Sequence, residues 1–79
     1  MITKVDRGTF TLDVAGFRYC VDGEVGQNGY EFMISPKSIW NLSGDSATKL
    51  VKDEALCAKL VAEIMDWGMK NNKRIGVWK

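Results

Sequence analysis

Thr9-Phe10-Thr11-Leu12-Asp13-Val14-Ala15-Gly16-Phe17-Arg18-Tyr19-Cys20-Val21-Asp22 is the stretch that decides the fold. Apolar and polar residues alternate strictly on both sides of Ala15-Gly16, the period of a half-buried strand. Phe10, Leu12 and Val14 share one face of the first run, and Phe17, Tyr19 and Val21 one face of the second. A two-residue break containing glycine, between runs of matched period, predicts a β-hairpin. Upstream, Ile2 to Val5 is a short strand candidate and Asp6-Arg7-Gly8 a turn. Downstream, Gly26-Gln27-Asn28-Gly29 carries the strongest turn signal, because Asn-Gly tolerates the positive φ that hairpin turns require. Tyr30 to Ile34 then alternates as another strand, with Tyr30, Phe32 and Ile34 inward.

The pattern changes after Ile34. Ser35-Pro36 predicts a cap and first helical position, with a single helical turn over Lys37 to Trp40. Asn41 to Lys49 is polar and reads as a loop. From Lys52 to Lys70 the period is helical, with Leu56, Leu60, Val61, Ile64 and Trp67 on one stripe and Cys57 and Gly68 at its edge. Asp53 and Glu54 suit the positive end of that helix and Lys70 the negative end, while Asn71-Asn72 is a stop. Arg74 to Trp78 closes the chain as a strand. The expected fold is α+β in two layers: an antiparallel sheet of about five strands, in the order ββββαβ, with one long helix packed on one face.

Composition agrees with a single domain, residues 1–79. The chain is 46% hydrophobic and 27% charged, the balance of a globular protein rather than a disordered one. Its net charge of +1 argues against a strongly cationic nucleic-acid module. No apolar run approaches the roughly 20 residues that span a bilayer, and no signal peptide is seen; a cytoplasmic protein is expected. The chain has no histidine, which removes the commonest general base and metal ligand. Cys20 and Cys57 cannot complete a zinc site by themselves and are expected to be free thiols. Asp22 with Glu24, and Asp53 with Glu54, are the nearest approaches to carboxylate pairs, and both read as solvated acids. Gly23, Gly26 and Gly29 read as turn glycines rather than a phosphate loop. Neither a cofactor, a metal nor a catalytic constellation is expected.

What remains is surface. If the alternating apolar set faces the helix, the opposite face carries Thr9, Thr11, Asp13, Arg18, Cys20, Asp22, Glu31 and Met33, with Glu24 just beyond. Solubility alone requires polar residues there. The same face also reads as an acidic docking surface for a basic protein, with Cys20 and Met33 as softer contacts. Trp40 and Trp78 are candidate anchors, since tryptophan is enriched at interface centres. The candidate partner-binding residues are thus Asp13, Asp22, Glu24, Glu31, Met33, Trp40 and Trp78. Charge is also uneven along the chain: residues 1–36 carry 3 basic and 5 acidic groups, residues 37–79 carry 8 basic and 5 acidic. Lys70, Lys73, Arg74, Trp78 and Lys79 form a short basic and aromatic cluster of the kind that stacks single-stranded nucleic acid. Ala55, Ala58, Ala62, Met65 and Met69 make a strip on the outer helix face that would accept another helix or a second copy of the chain, although alanine is also simply the best helix former.

Several of these features together resemble a known family. They are the Met1-Ile2-Thr3 start, the aromatic-rich strand Phe17-Arg18-Tyr19-Cys20-Val21, and the segment Tyr30-Glu31-Phe32-Met33-Ile34-Ser35-Pro36-Lys37-Ser38-Ile39. With a long amphipathic helix before a short strand, they resemble the small bacterial immunity proteins encoded beside polymorphic or contact-dependent growth-inhibition toxins. The resemblance implies an intracellular, non-catalytic inhibitor of the toxic C-terminal domain of a cognate effector, often a nuclease with a basic cleft. It supplies no catalytic residues and assigns no interface residues. Two other functions fit the same residues: a small nucleic-acid-binding or regulatory protein using the basic C-terminal end, and a phage-type inhibitor of a host enzyme.

Overall fold

The computed structural model describes residues 1–26, 29–43 and 49–78, for Lys49 the backbone alone. Strands β1 (Ile2–Asp6), β2 (Thr9–Val14) and β3 (Phe17–Val25) form an antiparallel meander. Strand β4 (Phe32–Asn41) is the centre of the sheet. One of its edges pairs with β3, and the other is shared by β5 (Lys49–Leu50) and β6 (Ile75–Val77). The single helix of the described residues, α1 (Glu54–Lys70), packs on one face. The α+β class and the one-helix layer are as the sequence predicts.

The turns of the first two hairpins take the twist-matched form. Arg7 and Gly8 have φ of 52° and 86°, and Ala15 and Gly16 have φ of 52° and 83°. Positive φ at both central positions is the type I′ geometry that joins right-twisted strands. Ala15 holds its left-handed conformation at a cost of about 1 kcal/mol. Ala15→Asn is therefore expected to stabilise the protein by about 0.5–1 kcal/mol, read as a higher urea midpoint at unchanged slope.

The register gives the faces. Phe10 pairs with Val21, Leu12 with Tyr19 and Val14 with Phe17 on the helix side; Thr11 pairs with Cys20 and Asp13 with Arg18 on the other. Phe10, Leu12, Val21, Ile34, Ile39, Leu60 and Ile64 are fully buried between the layers. Phe10 meets the Phe32 and Trp67 rings edge-on, at centroid distances of 5.5 and 5.3 Å, a favourable aromatic geometry. Phe17 has the inward register but stays 49% exposed, since it lies at the hairpin end of the strand.

Ser35 to Trp40 is not helical. β4 runs straight through this segment, and residues 35–38 bulge out opposite Asp22 alone. Proline has no N–H to give to a ladder, so it sits where the ladder is interrupted. The bulge also re-phases the strand, so that Ile34 and Ile39, at an odd spacing, both point into the core. A capping serine followed by proline has the same residue types as such a bulge, and only the buried Ile39 beyond it separates the two.

The predicted loop over Asn41 to Lys49 is also shorter, because Asn41 ends β4 and Lys49 starts β5. The part of it between, like the Gln27-Asn28 tip of the glycine turn, lies outside the described residues. Gly23 lies inside β3 rather than in a turn.

Asp53 caps α1, accepting hydrogen bonds from the Ala55 and Leu56 amides at 3.0 and 3.2 Å. At the other end the Asn71 amide and side chain both donate to the Trp67 carbonyl, and Asn72 turns the chain with φ of 56°. Seventeen helical residues carry the chain about 25 Å back across the sheet. β6 therefore returns beside the start of β4 and runs parallel to it, Ile75 next to Phe32 and Val77 next to Ile34. This single parallel pairing makes the sheet mixed. No described helix is long and apolar enough to cross a membrane.

Candidate functional site: the open sheet face

The face away from α1 is assembled by cross-strand neighbours. Lys4, Thr11, Cys20, Trp40 and Leu50 form one row across five strands, each paired with the next. Asp13 and Arg18 make a second pair, and Glu24 and Met33 a third. Lys4 joins this face because the register of β1 shifts between Ile2 and Lys4, putting Ile2 inside and Lys4 outside. A strictly alternating strand would have kept both on one side, so the sequence reading missed it.

Trp40 is the aromatic member of the row, between Cys20 and Leu50. Its indole N–H donates to Asp22 Oδ2 at 3.2 Å, and the Cys20 thiol donates to Asp22 Oδ1 at 3.9 Å. Asp22, Cys20 and Trp40 are all half-buried. Asp22 is thus a positioning group that fixes the indole as well as a negative charge. Glu24 stands exposed two residues along, on the same face. Because the extra residues of the bulge belong to β4, the alternation of β3 is unbroken and Glu24 keeps its outward direction.

The other candidate residues are placed differently. Asp13 faces outward, but Arg18 holds it with a two-pronged contact, Nε to Oδ1 at 2.9 Å and Nη2 to Oδ2 at 3.3 Å. The Arg18 hydrogen bond keeps the Asp13 carboxyl below the usual carboxylate range. Glu31 precedes β4 rather than lying in it, its amide donates to the Arg74 carbonyl, and its carboxylate meets Lys73 Nζ at 3.2 Å. The local charge of both acids is therefore offset, and among the described residues of this face the open negative charge lies at Asp6, Asp22 and Glu24, set against the exposed Lys4.

Met33 faces outward as expected, yet it is only 5% exposed. A methyl group added to Gly76 would collide with the Met33 sulfur and the Tyr30 ring, so both side chains lie over the bare backbone of β6. Met33 is consequently a packing residue rather than an open contact. Tyr30 belongs to this outer layer instead of the core, with the Arg74 guanidinium 5.4 Å above its ring. Parallel pairing with a glycine strand created a second small core that alternation could not foretell. Trp78 is 36% exposed, and its amide extends the β4–β6 ladder to the Ile34 carbonyl at 2.9 Å.

The basic C-terminal cluster is largely engaged within the chain. Lys70 pairs with Asp66 at 2.9 Å, Lys73 with Glu31, and Arg74 with Tyr30. Lys79 lies outside the described residues. On α1, Ala55, Ala58, Ala62, Met65 and Met69 are all exposed, Met69 by 80%. Among the described residues no three metal-ligating side chains come together.

Both cysteines are free, Cys20 on the outer face and Cys57 on α1 across the sheet, so the sheet itself separates them. Burial pushes both thiols above their usual value of 9.0, with Asp22 adding to the effect at Cys20 and Asp53 at Cys57. A thiol raised in the folded state contributes stability below its unfolded pKa and loses it as pH rises through the folded value. Alkylation of both is expected to be slower in the native protein than in urea at mildly alkaline pH. Equal rates would show the thiols to be open. No family model, curated protein or solved structure matches this chain.

Proposed function

We propose that the chain is a non-catalytic immunity protein that binds and neutralises the toxic C-terminal domain of a cognate bacterial effector, a domain with a basic, nuclease-type cleft. The observation that supports this most is the open sheet face, where Asp22 holds the Trp40 indole and Glu24 stands exposed two residues further along β3. A fixed aromatic anchor supplies residence time, and uncompensated negative charge next to it raises the association rate with a basic partner. The proposed site of action is the cytoplasm, where thiols stay reduced. Nucleic-acid binding through the C-terminal end is less well supported, because Lys70, Lys73 and Arg74 already face acids or an aromatic ring.

The test is co-expression with the toxin domain encoded by the neighbouring gene. Growth restored by this chain, together with a complex that survives purification, is the expected result. Continued toxicity with no complex at low salt would overturn the proposal.

A further inference from the structure

Beyond partner binding, we infer that the groove between the β4 bulge and the first half of α1 is a binding site for a single-chain amphiphilic carboxylate. The groove opens beside residues 35–38, which leave the ladder with β3, and Pro36 lines its sheet side. Val51, which packs against the core, forms the adjoining wall, with Leu50, turned to the open face by its pairing with Trp40, at its margin, and Cys57, Ala58 and Val61 form the helical side. Ala58 is the small residue that keeps this side open. The Cys57 thiol donates to the Val51 carbonyl at 3.7 Å, tying the helix to the strand connection. The cavity volume is about 540 Å³, within the range of small-molecule sites, and the side chains named so far present apolar or weakly polar surface.

The charged residues at its edge select the head group. Lys37 and Lys52 both line the groove, are exposed, and make no ion pair among the described residues. Among the described residues Glu54 is the acid at the same edge, leaving one positive charge in excess. An apolar trough with excess positive charge at its rim complements an acyl tail ending in a monoanion. It disfavours an alkyl cation of the same length.

Hexanoate, octanoate and decanoate are titrated into the full chain, followed by calorimetry and by backbone amide shifts. Affinity is expected to rise about two- to fourfold for each methylene added, until the groove is filled. The shifts should centre on Val51, Cys57, Ala58 and Val61. Decyltrimethylammonium should bind about three- to tenfold more weakly than decanoate, and Lys37→Glu with Lys52→Glu should abolish that preference. Ala58→Phe, at an exposed helical position, should fill the groove and remove binding at an unchanged melting temperature. Affinity independent of chain length, equal binding of the cation, wild-type binding by Ala58→Phe, or shifts centred on Met65 and Met69 would each overturn the inference. None of these outcomes depends on a toxin partner, so the groove and the open sheet face are tested separately.

Discussion

Gly23→Ala is expected to destabilise the protein by about 3 kcal/mol, enough to lower its melting temperature by roughly 12–24 °C in a domain of this size. An ideal Cβ at Gly23 would stand 2.5 Å from the carbonyl oxygens of both Gly8 and Met33. These are backbone atoms in the β1–β2 turn and in β4, so relief requires moving two strands rather than one side chain. The approach is reciprocal: a Cβ at Gly8 would lie 2.7 Å from the backbone of Glu24. Gly8 and Gly23 thus seat the first hairpin turn against β3. Gly16→Ala is the control, because it has a positive φ of 83° with open space around it. Its cost should stay near 1 kcal/mol, the price of the left-handed conformation alone. Thermal and urea melts of the two variants decide the matter. Equal losses would mean that close approach at Gly23 contributes nothing.

Trp40→Ala is expected to weaken binding of the proposed toxin domain by at least about 2 kcal/mol, or roughly 30-fold, mainly through faster dissociation. The indole lies between Cys20 and Leu50 in the five-strand row and is held by Asp22, so little side-chain freedom is lost on docking. Glu24→Lys should act differently, slowing association and weakening its salt dependence while dissociation changes little. Asp22→Asn separates the two roles of that residue. The amide oxygen can still accept the indole N–H, so dissociation should stay near wild type while the share of association driven by the Asp22 charge is lost. Asp22→Lys removes the charge and the acceptor together, and its effect should exceed that of Asp22→Asn. Stopped-flow association and dissociation at two salt concentrations, with melts as a folding control, measure each contribution. Unchanged dissociation in Trp40→Ala would move the interface elsewhere, with the Ala55 to Met69 strip of α1 as the next surface to test.

The sequence by itself determined the elements whose signals are local. Strict alternation around Ala15-Gly16 fixed the central hairpin and its inward set, because a strand's two faces are written in successive residues. The stripe from Leu56 to Trp67, with Asp53 before it and Asn71 after it, fixed the helix for the same kind of reason. The outward direction of Asp13, Asp22 and Glu24 followed from the same alternation. Tertiary structure alone decided whatever depends on what lies opposite. Ser35 to Trp40 became a bulged strand because Ile39 had a core position to fill beside Val21. β6 became parallel because the helix delivers it to the free edge of β4. Met33 became buried because that edge received a glycine strand roofed by Tyr30. Glu31 lost its open charge to Lys73, a residue on the far side of the helix in sequence. Side-chain direction is a property of a few neighbouring residues, whereas burial and charge compensation are properties of pairs brought together by the whole chain.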